Sequence, residues 1–149
     1  MNINKKEIKN QIKEAEKYDE IAIELWGDRA EQSIKLWKSY SVAQKEEVIE
    51  ECNRNYLDMV QLIKEGKAID SEEMQVLVRK WHEYLFYYYE PSLEILTWLA
   101  DAYKNHPGFR EYYEKIDSDL PDFFSSAITH YVDVLETKWL ESQYLTLEE

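Results

Sequence analysis

Two carboxylates in an apolar stretch are the first side chains in this sequence that could do chemistry. Glu94 and Asp101 belong to a predicted helix that is apolar over most of its circumference, and a carboxylate kept from water beside a substrate can act as a general acid or base. The other carboxylates are expected to be solvated, because 31 acidic residues against 18 basic ones give a net charge of −13. We expect no catalysis, and we assign these two carboxylates to hydrogen bonds with amides or to pairing with cationic groups of a ligand.

The histidines and the single cysteine do not suggest a metal site or a nucleophile. His82, His106 and His130 are separated by two helix turns or more and have no companion cysteine at ligand spacing. Cys52 lies on an apolar helical stripe and is predicted to be an inert core thiol. The sequence also lacks a phosphate-binding glycine loop and a nucleophile motif. It therefore favours a protein that is not an enzyme and that needs no metal or cofactor.

Aromatic residues are the remaining candidates, with 12 tyrosines and five tryptophans in 149 residues. They are densest in YLFYYYEPS, from Tyr84 to Ser92. Buried Tyr and Trp side chains need partners for their polar atoms, and a cleft lined by them suits large, flat, amphipathic ligands. Core packing is the alternative interpretation. Helical periodicity predicts that part of this run is core and part lines a cleft, since Leu85 and Tyr88 face the core while Phe86 and Tyr87 face elsewhere.

We predict a ligand-binding site built mainly from aromatic side chains. The predicted residues are Trp26, Tyr40, Tyr56, Trp81, Tyr84, Tyr88, Glu94, Trp98, Asp101 and Tyr103. The same aromatic surface could instead bind a second copy of the chain or another helical protein. A helical interaction or dimerisation protein is therefore the alternative function.

The elements that position these residues are all predicted to be helices. Three glycines and three prolines leave few turns for a sheet, while apolar residues recur at three-and-four spacing. The predicted helices span about Ile3–Trp26, Arg29–Ser39, Ser41–Glu65, Asp70–Tyr89, Ser92–Lys104 and Pro107–Ile116, and Ser118 caps a last helix. Ser41 with Gln44, and Asp70 with Glu73, have the spacing of a capping box. A chain of 149 residues suits one domain. We expect an all-α fold of about five to seven helices with no sheet.

Charge and hydropathy exclude two classes of partner. A net charge of −13 repels a polyanion such as DNA. No apolar run approaches the roughly 20 residues of a membrane span, and the N-terminus lacks the apolar segment of a signal peptide. We expect a cytoplasmic protein that binds neither nucleic acid nor membrane directly.

A series of aromatic and aliphatic positions covers almost the whole chain, from about Asp19 to Tyr131. In the first half it comprises Trp26-Gly27-Asp28, Ser33, Tyr40 and the helix around Tyr56 to Ile63 that ends at Gly66. In the second half it comprises Tyr87, Tyr88, Tyr89, Ser92, Glu94, Leu99, Tyr103, Phe109, Leu120, Phe123, Ala127 and Ile128. In order and spacing it resembles the TipAS domain. This is the drug-recognition module of MerR-type multidrug-responsive activators and of free-standing resistance proteins.

The resemblance implies a globin-like all-α fold that holds amphipathic antibiotics, often cyclic or aromatic-rich peptides, in a cleft between helices. It implies that residues 1–40 form mobile helices that close over the ligand, with residues 41–140 as the core. The protein would sequester a drug, or act as the sensor of a MerR-type transcriptional activator and then be a homodimer through the DNA-binding half.

The chain departs from the family pattern at the central helix. Thiopeptide-responsive members carry a cysteine where this chain has Trp98, and Cys52 lies on a different helix. We therefore expect non-covalent stacking on Trp98 in place of covalent capture. The family's DxRF-like loop is His106-Pro107-Gly108-Phe109 here, and its GLA-like turn is Asp119-Leu120-Pro121.

Overall fold

A computed structural model describes residues 23–24 and 27–148 of the chain. Within that range the chain forms helices and no strand. The helices are α1 (Asp28–Ser39), α2 (Val42–Lys64), α3 (Glu72–Leu85), α4 (Leu93–Asn105), α5 (Pro107–Ile116) and α6 (Leu120–Glu148). The predicted all-α fold with about five to seven helices is confirmed for these residues. The predicted helix from Ile3 to Trp26 lies almost wholly outside them.

Local chemistry explains where two of the helices begin and end. Gly27 precedes α1 with φ 57°, and Gly66 follows α2 with φ 77°, a left-handed conformation that glycine adopts without steric cost. At the start of α2 the Gln44 amide donates to Ser41 Oγ (3.1 Å), and the Ser41 amide donates to Gln44 Oε1 (2.8 Å). This reciprocal pair is the predicted capping box.

Helix α3 differs from the prediction at both ends. It begins at Glu72 with the Met74 amide donating to Ser71 Oγ (3.2 Å), so Ser71 caps the helix where Asp70 was expected to. It ends at Leu85 instead of continuing to Tyr89. The amides of Phe86, Tyr87 and Tyr88 instead bond to carbonyls three residues back. Pro91 disfavours helix before it, so these aromatic residues occupy a turn.

By their contacts, the helices divide between two units. The first consists of the described residues up to Asn55 together with Trp81–Glu90, and the second consists of Tyr56–Lys80 and the chain from Pro91 onward. Both α2 and α3 supply residues to each unit. The expectation of one domain over residues 1–149 stays a prediction.

Helix α4 is the centre of the second unit, as its sequence predicts. It packs against α5 and α6. Ser92 begins it, since the Ile95 amide donates to Ser92 Oγ at 3.2 Å. Its buried residues are Ile95, Leu96, Leu99, Ala100, Ala102 and Tyr103. The rest of the unit's core is apolar side chains of the other helices, among them Met59, Met74, Val78, Leu120, Phe124, Ile128 and Val132.

None of the helices in the described part of the chain has the length and apolarity to cross a membrane.

Candidate functional site

A group of aromatic rings lies on the surface of the first unit, where α1 ends and where the turn after α3 begins. We call Trp37, Tyr40, Tyr87 and Tyr88 the surface cluster. The Trp37 ring centroid is 4.8 Å from that of Tyr88, with the planes tilted by 30°, and 5.8 Å from the edge-on Tyr40 ring. Tyr40 Oη donates a hydrogen bond to the Tyr87 carbonyl at 2.7 Å. Together these contacts hold the end of α1 against the turn after α3.

The surface cluster is only partly covered. Trp37, Tyr40 and Tyr88 are half-buried, and Tyr87 is 40% exposed. Lys45 Nζ lies 5.7 Å from the Trp37 ring centroid, within the range of a cation–π interaction. The cluster thus presents aromatic surface together with hydroxyl groups and one cation, a combination that can stack on a flat ligand and also bond to its polar groups.

The prediction of which side chains of the aromatic run face the core is confirmed at Leu85, Phe86 and Tyr87. Leu85 is buried, whereas Phe86 is 53% and Tyr87 40% exposed. Tyr88 is only half-buried, and its ring contacts the Trp37 ring. The Phe86 ring lies 5.8 Å from the His82 imidazole.

Burial dominates the titration of the groups around Tyr84 in the first unit. Burial raises the pKa of Tyr84, and the charge of Glu51 raises it further. Burial also raises the pKa of the Cys52 thiol to about 12, with a smaller contribution from Glu51. The thiolate is the reactive form of cysteine. Cys52 is therefore protonated at neutral pH, in agreement with the predicted inert thiol.

His82 titrates under opposing influences. Burial lowers the pKa of its imidazole, and the nearby charge of Glu83 partly offsets that effect. At neutral pH the ring is accordingly neutral, and it adds no positive charge to this part of the first unit.

The second unit contains a different aromatic group, which we call the buried cluster: Tyr56, Tyr103, Tyr113 and Phe124. Tyr103 is stacked on Phe124 with centroids 5.5 Å apart and an interplanar angle of 21°. The Tyr113 ring centroid lies 4.7 Å from that of Tyr103 and 5.1 Å from that of the edge-on Tyr56 ring. None of the four rings is more than 8% exposed. The cluster fills the space between α2, α4, α5 and α6.

A hydroxyl pair joins two of the tyrosines of the buried cluster. Tyr56 Oη and Tyr113 Oη are 3.0 Å apart and share a hydrogen bond. Burial holds the pKa of Tyr113 well above its ordinary value, and the neighbouring tyrosines add to the shift. The pair is therefore neutral, and its rings are packed as core.

Trp98 and Phe109 lie at the outer side of the buried cluster. Both are half-buried, and their ring centroids are 6.4 Å apart in an edge-to-face arrangement. The Phe109 ring centroid also lies 5.7 Å from that of Tyr103 and 5.3 Å from that of His106. Phe109 therefore links a partly exposed tryptophan to the core.

Arg110 anchors the loop before Phe109. It donates to Glu114 at 2.6 Å, to Asp122 at 3.0 Å and to the Lys104 carbonyl at 2.8 Å. The hydrogen bond from Arg110 lowers the pKa of Asp122. One guanidinium thus joins the end of α4 to the starts of α5 and α6.

The two predicted carboxylates are not sequestered. Glu94 and Asp101 are both exposed, and Asp101 accepts a hydrogen bond from Asn105 Nδ2 at 2.8 Å. Their helix is apolar over most of its circumference, but the polar strip of α4 that carries both carboxylates faces solvent. Neither has the dry environment that acid–base catalysis requires.

The structure brings some of the predicted site residues together and separates others. Tyr40 and Tyr88 join the surface cluster. Trp81 is buried at 3% exposure, and Tyr84 is half-buried on the same helix. Tyr56 and Tyr103 belong to the buried cluster, while Trp98 is half-exposed in the second unit. Trp26 lies outside the described residues. A ligand-binding role for each stays a prediction.

Sequence reasoning missed two of the organising rings. Trp37 is the centre of the surface cluster, and the signal available was its position one turn before Tyr40 on the predicted second helix. Tyr113 holds together the buried cluster, and it follows Phe109 by four residues on the same helix. Spacings of three and four residues put side chains near one another on a helix face, although Tyr40 itself lies just past the end of α1.

Metal-binding side chains and a surface depression are the other features of the described residues that bear on a ligand site. In residues 23–24 and 27–148, no group of three or more His, Cys, Asp or Glu side chains could hold a metal ion. One shallow depression on α6 is lined by Asp133, Val134, Thr137, Lys138 and Glu141. All five belong to one helix, so the depression does not enclose a small molecule.

Comparison with known families identifies one match. The model of the TipAS antibiotic-recognition domain matches residues 18–131. The matched range agrees with the resemblance between about Asp19 and Tyr131, and it contains both aromatic clusters. Searches among curated proteins and among solved structures find no match to the chain.

Proposed function

The chain belongs to the TipAS antibiotic-recognition domain family, and we propose that it binds a bulky, amphipathic antibiotic on exposed aromatic rings, without changing it chemically. Peptide antibiotics rich in aromatic rings and amides are the ligand class that fits best. Binding is non-covalent, because the only cysteine, Cys52, has a pKa of about 12 and is held as the thiol.

The observation that carries this proposal is the partly exposed surface cluster. The neighbouring, tilted rings of Trp37 and Tyr88 offer an apolar face, and the 40% exposed Tyr87 supplies a hydroxyl for a ligand amide. Tyr40 Oη already donates to the Tyr87 carbonyl, so its lone pairs remain to accept from a ligand N–H. Aromatic faces bordered by hydrogen-bonding groups are the usual lining of sites for such ligands.

Trp98 is a second platform in the second unit. Its ring is half-exposed and is braced edge-on by Phe109. By contrast, Tyr56 and Tyr103 are core residues in this conformation, and a ligand would reach them only if the buried cluster opened. We therefore assign ligand contact to Trp37, Tyr40, Tyr87, Tyr88 and Trp98.

Two biological uses of such binding are compatible with the family. The protein could lower the free concentration of a drug by sequestration, or it could report drug binding to a MerR-type DNA-binding half. The net charge of −13 argues against direct DNA binding by this chain. A winged-helix reading frame fused to this one in the gene would support the sensor, and its absence would support sequestration.

A fluorescence titration with a thiopeptide tests the proposal. Wild-type protein should show saturable quenching, and Trp37→Ala and Trp98→Ala should each weaken binding by about tenfold or more if the ring is an anchor. Trp139→Phe is the matched control, because this tryptophan is 59% exposed at the far end of α6. No quenching at high micromolar ligand would contradict the proposal. Recovery of chemically altered ligand after long incubation would favour an enzyme.

A dimerisation protein is the other function that these aromatic surfaces could serve. It predicts a dimer without ligand that dissociates when Tyr87 or Trp98 is replaced by alanine. Our proposal predicts that the ligand-free protein sediments as a monomer, and that the same two substitutions change ligand affinity instead.

A further inference from the structure

Helix α6 extends four turns past its last buried residue. Leu120, Phe124, Ile128 and Val132 are buried, but no residue from Asp133 to Leu145 is. Apolar side chains nevertheless continue in this stretch. Their exposed fractions are Val134 37%, Trp139 59%, Leu140 60%, Tyr144 68% and Leu145 64%. Leucine, tryptophan and tyrosine side chains on an exposed helix of this length contribute no burial energy unless another surface covers them.

Helical geometry arranges part of this surface as a strip. At about 100° per residue, Thr137, Leu140 and Tyr144 follow one another at spacings of three and four along one face of α6. Glu136 lies on one side of this line and Glu141 on the other. We call these five residues the terminal strip. All five are exposed or half-buried, so the strip is an apolar line between two carboxylates.

The charges around the terminal strip favour a cationic partner. Between Asp133 and Leu145 the acidic residues are Asp133, Glu136 and Glu141, while Lys138 is the single basic residue. Lys138 lies on the flank of α6 away from Leu140, beyond Glu141. A second copy of the chain would set carboxylates against carboxylates, in a protein of net charge −13, and like charges across an interface are destabilising. A cationic partner removes that repulsion and covers the same apolar groups.

We propose that the terminal strip docks a cationic amphipathic helix of another protein. The partner's apolar stripe would pack on Leu140 and Tyr144, and lysines or arginines beside that stripe would pair with Glu136 and Glu141. This is the arrangement of flanking charges beside an apolar seam in paired helices. The inference does not depend on antibiotic binding.

A synthetic peptide provides the direct test. The probe is a helical peptide of about five turns with a leucine stripe bordered by lysines on both sides, and the matched peptide carries glutamate in place of each lysine. The lysine peptide should bind, with an affinity that falls as salt rises, and the glutamate peptide should bind at least tenfold more weakly. Trp139 lies beside Leu140 in the chain, so its fluorescence reports binding, and calorimetry gives the stoichiometry.

Variants locate the binding on α6. Leu140→Gln with Tyr144→Gln should weaken binding of the lysine peptide at least tenfold. Glu136→Lys with Glu141→Lys should reverse the preference between the two peptides. Val42→Gln is the matched control, because Val42 is 60% exposed on α2 and should leave the affinity unchanged. Thermal unfolding should be the same for all variants, since the replaced side chains are exposed.

Three results would overturn the proposal. One is equal binding of the lysine and glutamate peptides. Another is binding that survives the paired Leu140 and Tyr144 substitutions. The third is a dimer of the unliganded protein that dissociates in the Leu140→Gln, Tyr144→Gln variant, because a second copy would then occupy the strip.

Discussion

The surface cluster and the buried cluster are built from the same residue types but are enclosed in different ways. Trp37, Tyr40, Tyr87 and Tyr88 lie at or beyond the ends of α1 and α3. The rings of the buried cluster lie on the inner faces of α2, α4, α5 and α6, and none of them is more than 8% exposed. Rings in the interior of a helix are covered by the helices packed against it. Rings at a helix end are covered on fewer sides, so that part of their surface remains available to a ligand.

The polar atoms of the two clusters show the same contrast. In the buried cluster, Tyr56 and Tyr113 satisfy each other through a single hydroxyl pair at 3.0 Å. In the surface cluster, Tyr40 bonds to a backbone carbonyl at 2.7 Å, and the Tyr87 side chain is 40% exposed. A closed network contributes to stability, whereas an open one leaves hydrogen-bonding capacity for binding.

The largest expected effect separates the clusters by stability. Phe124→Ala removes a fully buried ring against which Tyr103 is stacked, so the free energy of unfolding should fall by about 3–5 kcal/mol. Tyr87→Ala removes an exposed ring and should change that free energy by about 0.5 kcal/mol or less. Urea denaturation of the two variants measures both values. Similar losses in the two would show that the surface cluster is also core.

A smaller effect should come from the hydroxyl pair. Tyr113→Phe removes one hydroxyl of the buried Tyr56–Tyr113 hydrogen bond, and loss of such a bond should cost about 0.5–1.5 kcal/mol. The double substitution Tyr56→Phe, Tyr113→Phe removes both polar groups and should recover part of that loss. Denaturation of the two single variants and the double variant forms a thermodynamic cycle. If the loss of unfolding free energy in the double variant equals the sum of the losses in the two single variants, the two hydroxyls are not coupled.

Alkaline pH should destabilise the buried cluster selectively. The folded-state pKa of Tyr113 is raised well above its ordinary value, so the stability it contributes is present below about pH 10, where the unfolded tyrosine is still protonated. That contribution is lost as pH rises further. Wild-type protein should therefore lose stability above about pH 10, and Tyr113→Phe should show a shallower loss. An identical pH dependence of the melting temperature in both proteins would count against this assignment.

The smallest expected effect concerns Arg110 at the rim of the buried cluster. The pKa of Asp122 is lowered in the folded state by its bond from Arg110, so this contribution is present above the unfolded pKa of about 3.9. It is lost as pH falls through the lower folded value. Asp122 is exposed and Arg110 is half-buried, and Asp122→Asn should lower the melting temperature at pH 7 only slightly. The difference from wild type should vanish at low pH, and a difference that persists would contradict the pairing.

The sequence predicted those parts of the fold that local chemistry decides. Gly66, the Ser41 and Gln44 capping box, and Ser92 mark helix ends through the conformation or hydrogen bonds of a few neighbouring residues. The end of α3 was placed at Tyr89 because the periodic pattern continues that far. The chain leaves the helix after Leu85 and enters a turn whose amides bond to carbonyls three residues back, and the periodic pattern does not distinguish this turn from a helix.

The candidate site was harder to predict, because it depends on which helix faces meet. Periodicity placed Glu94 and Asp101 on one polar strip but could not tell that the strip faces solvent. Sequence reasoning selected Tyr40 and Tyr88 without Trp37, the ring that joins them, because the two tyrosines are far apart in sequence. Contacts between distant segments are set by tertiary packing, about which a single-helix pattern carries no information.

The central claim is that an antibiotic binds on the surface cluster while the buried cluster stays closed. Amide hydrogen exchange with and without a saturating thiopeptide tests it directly. We predict slower exchange at residues 37–40 and 86–90 on binding, with exchange around Tyr103 and Tyr113 unchanged or slower. Faster exchange around Tyr103 and Tyr113, with no protection at residues 37–40 and 86–90, would contradict the account and would mean that the ligand enters the buried cluster.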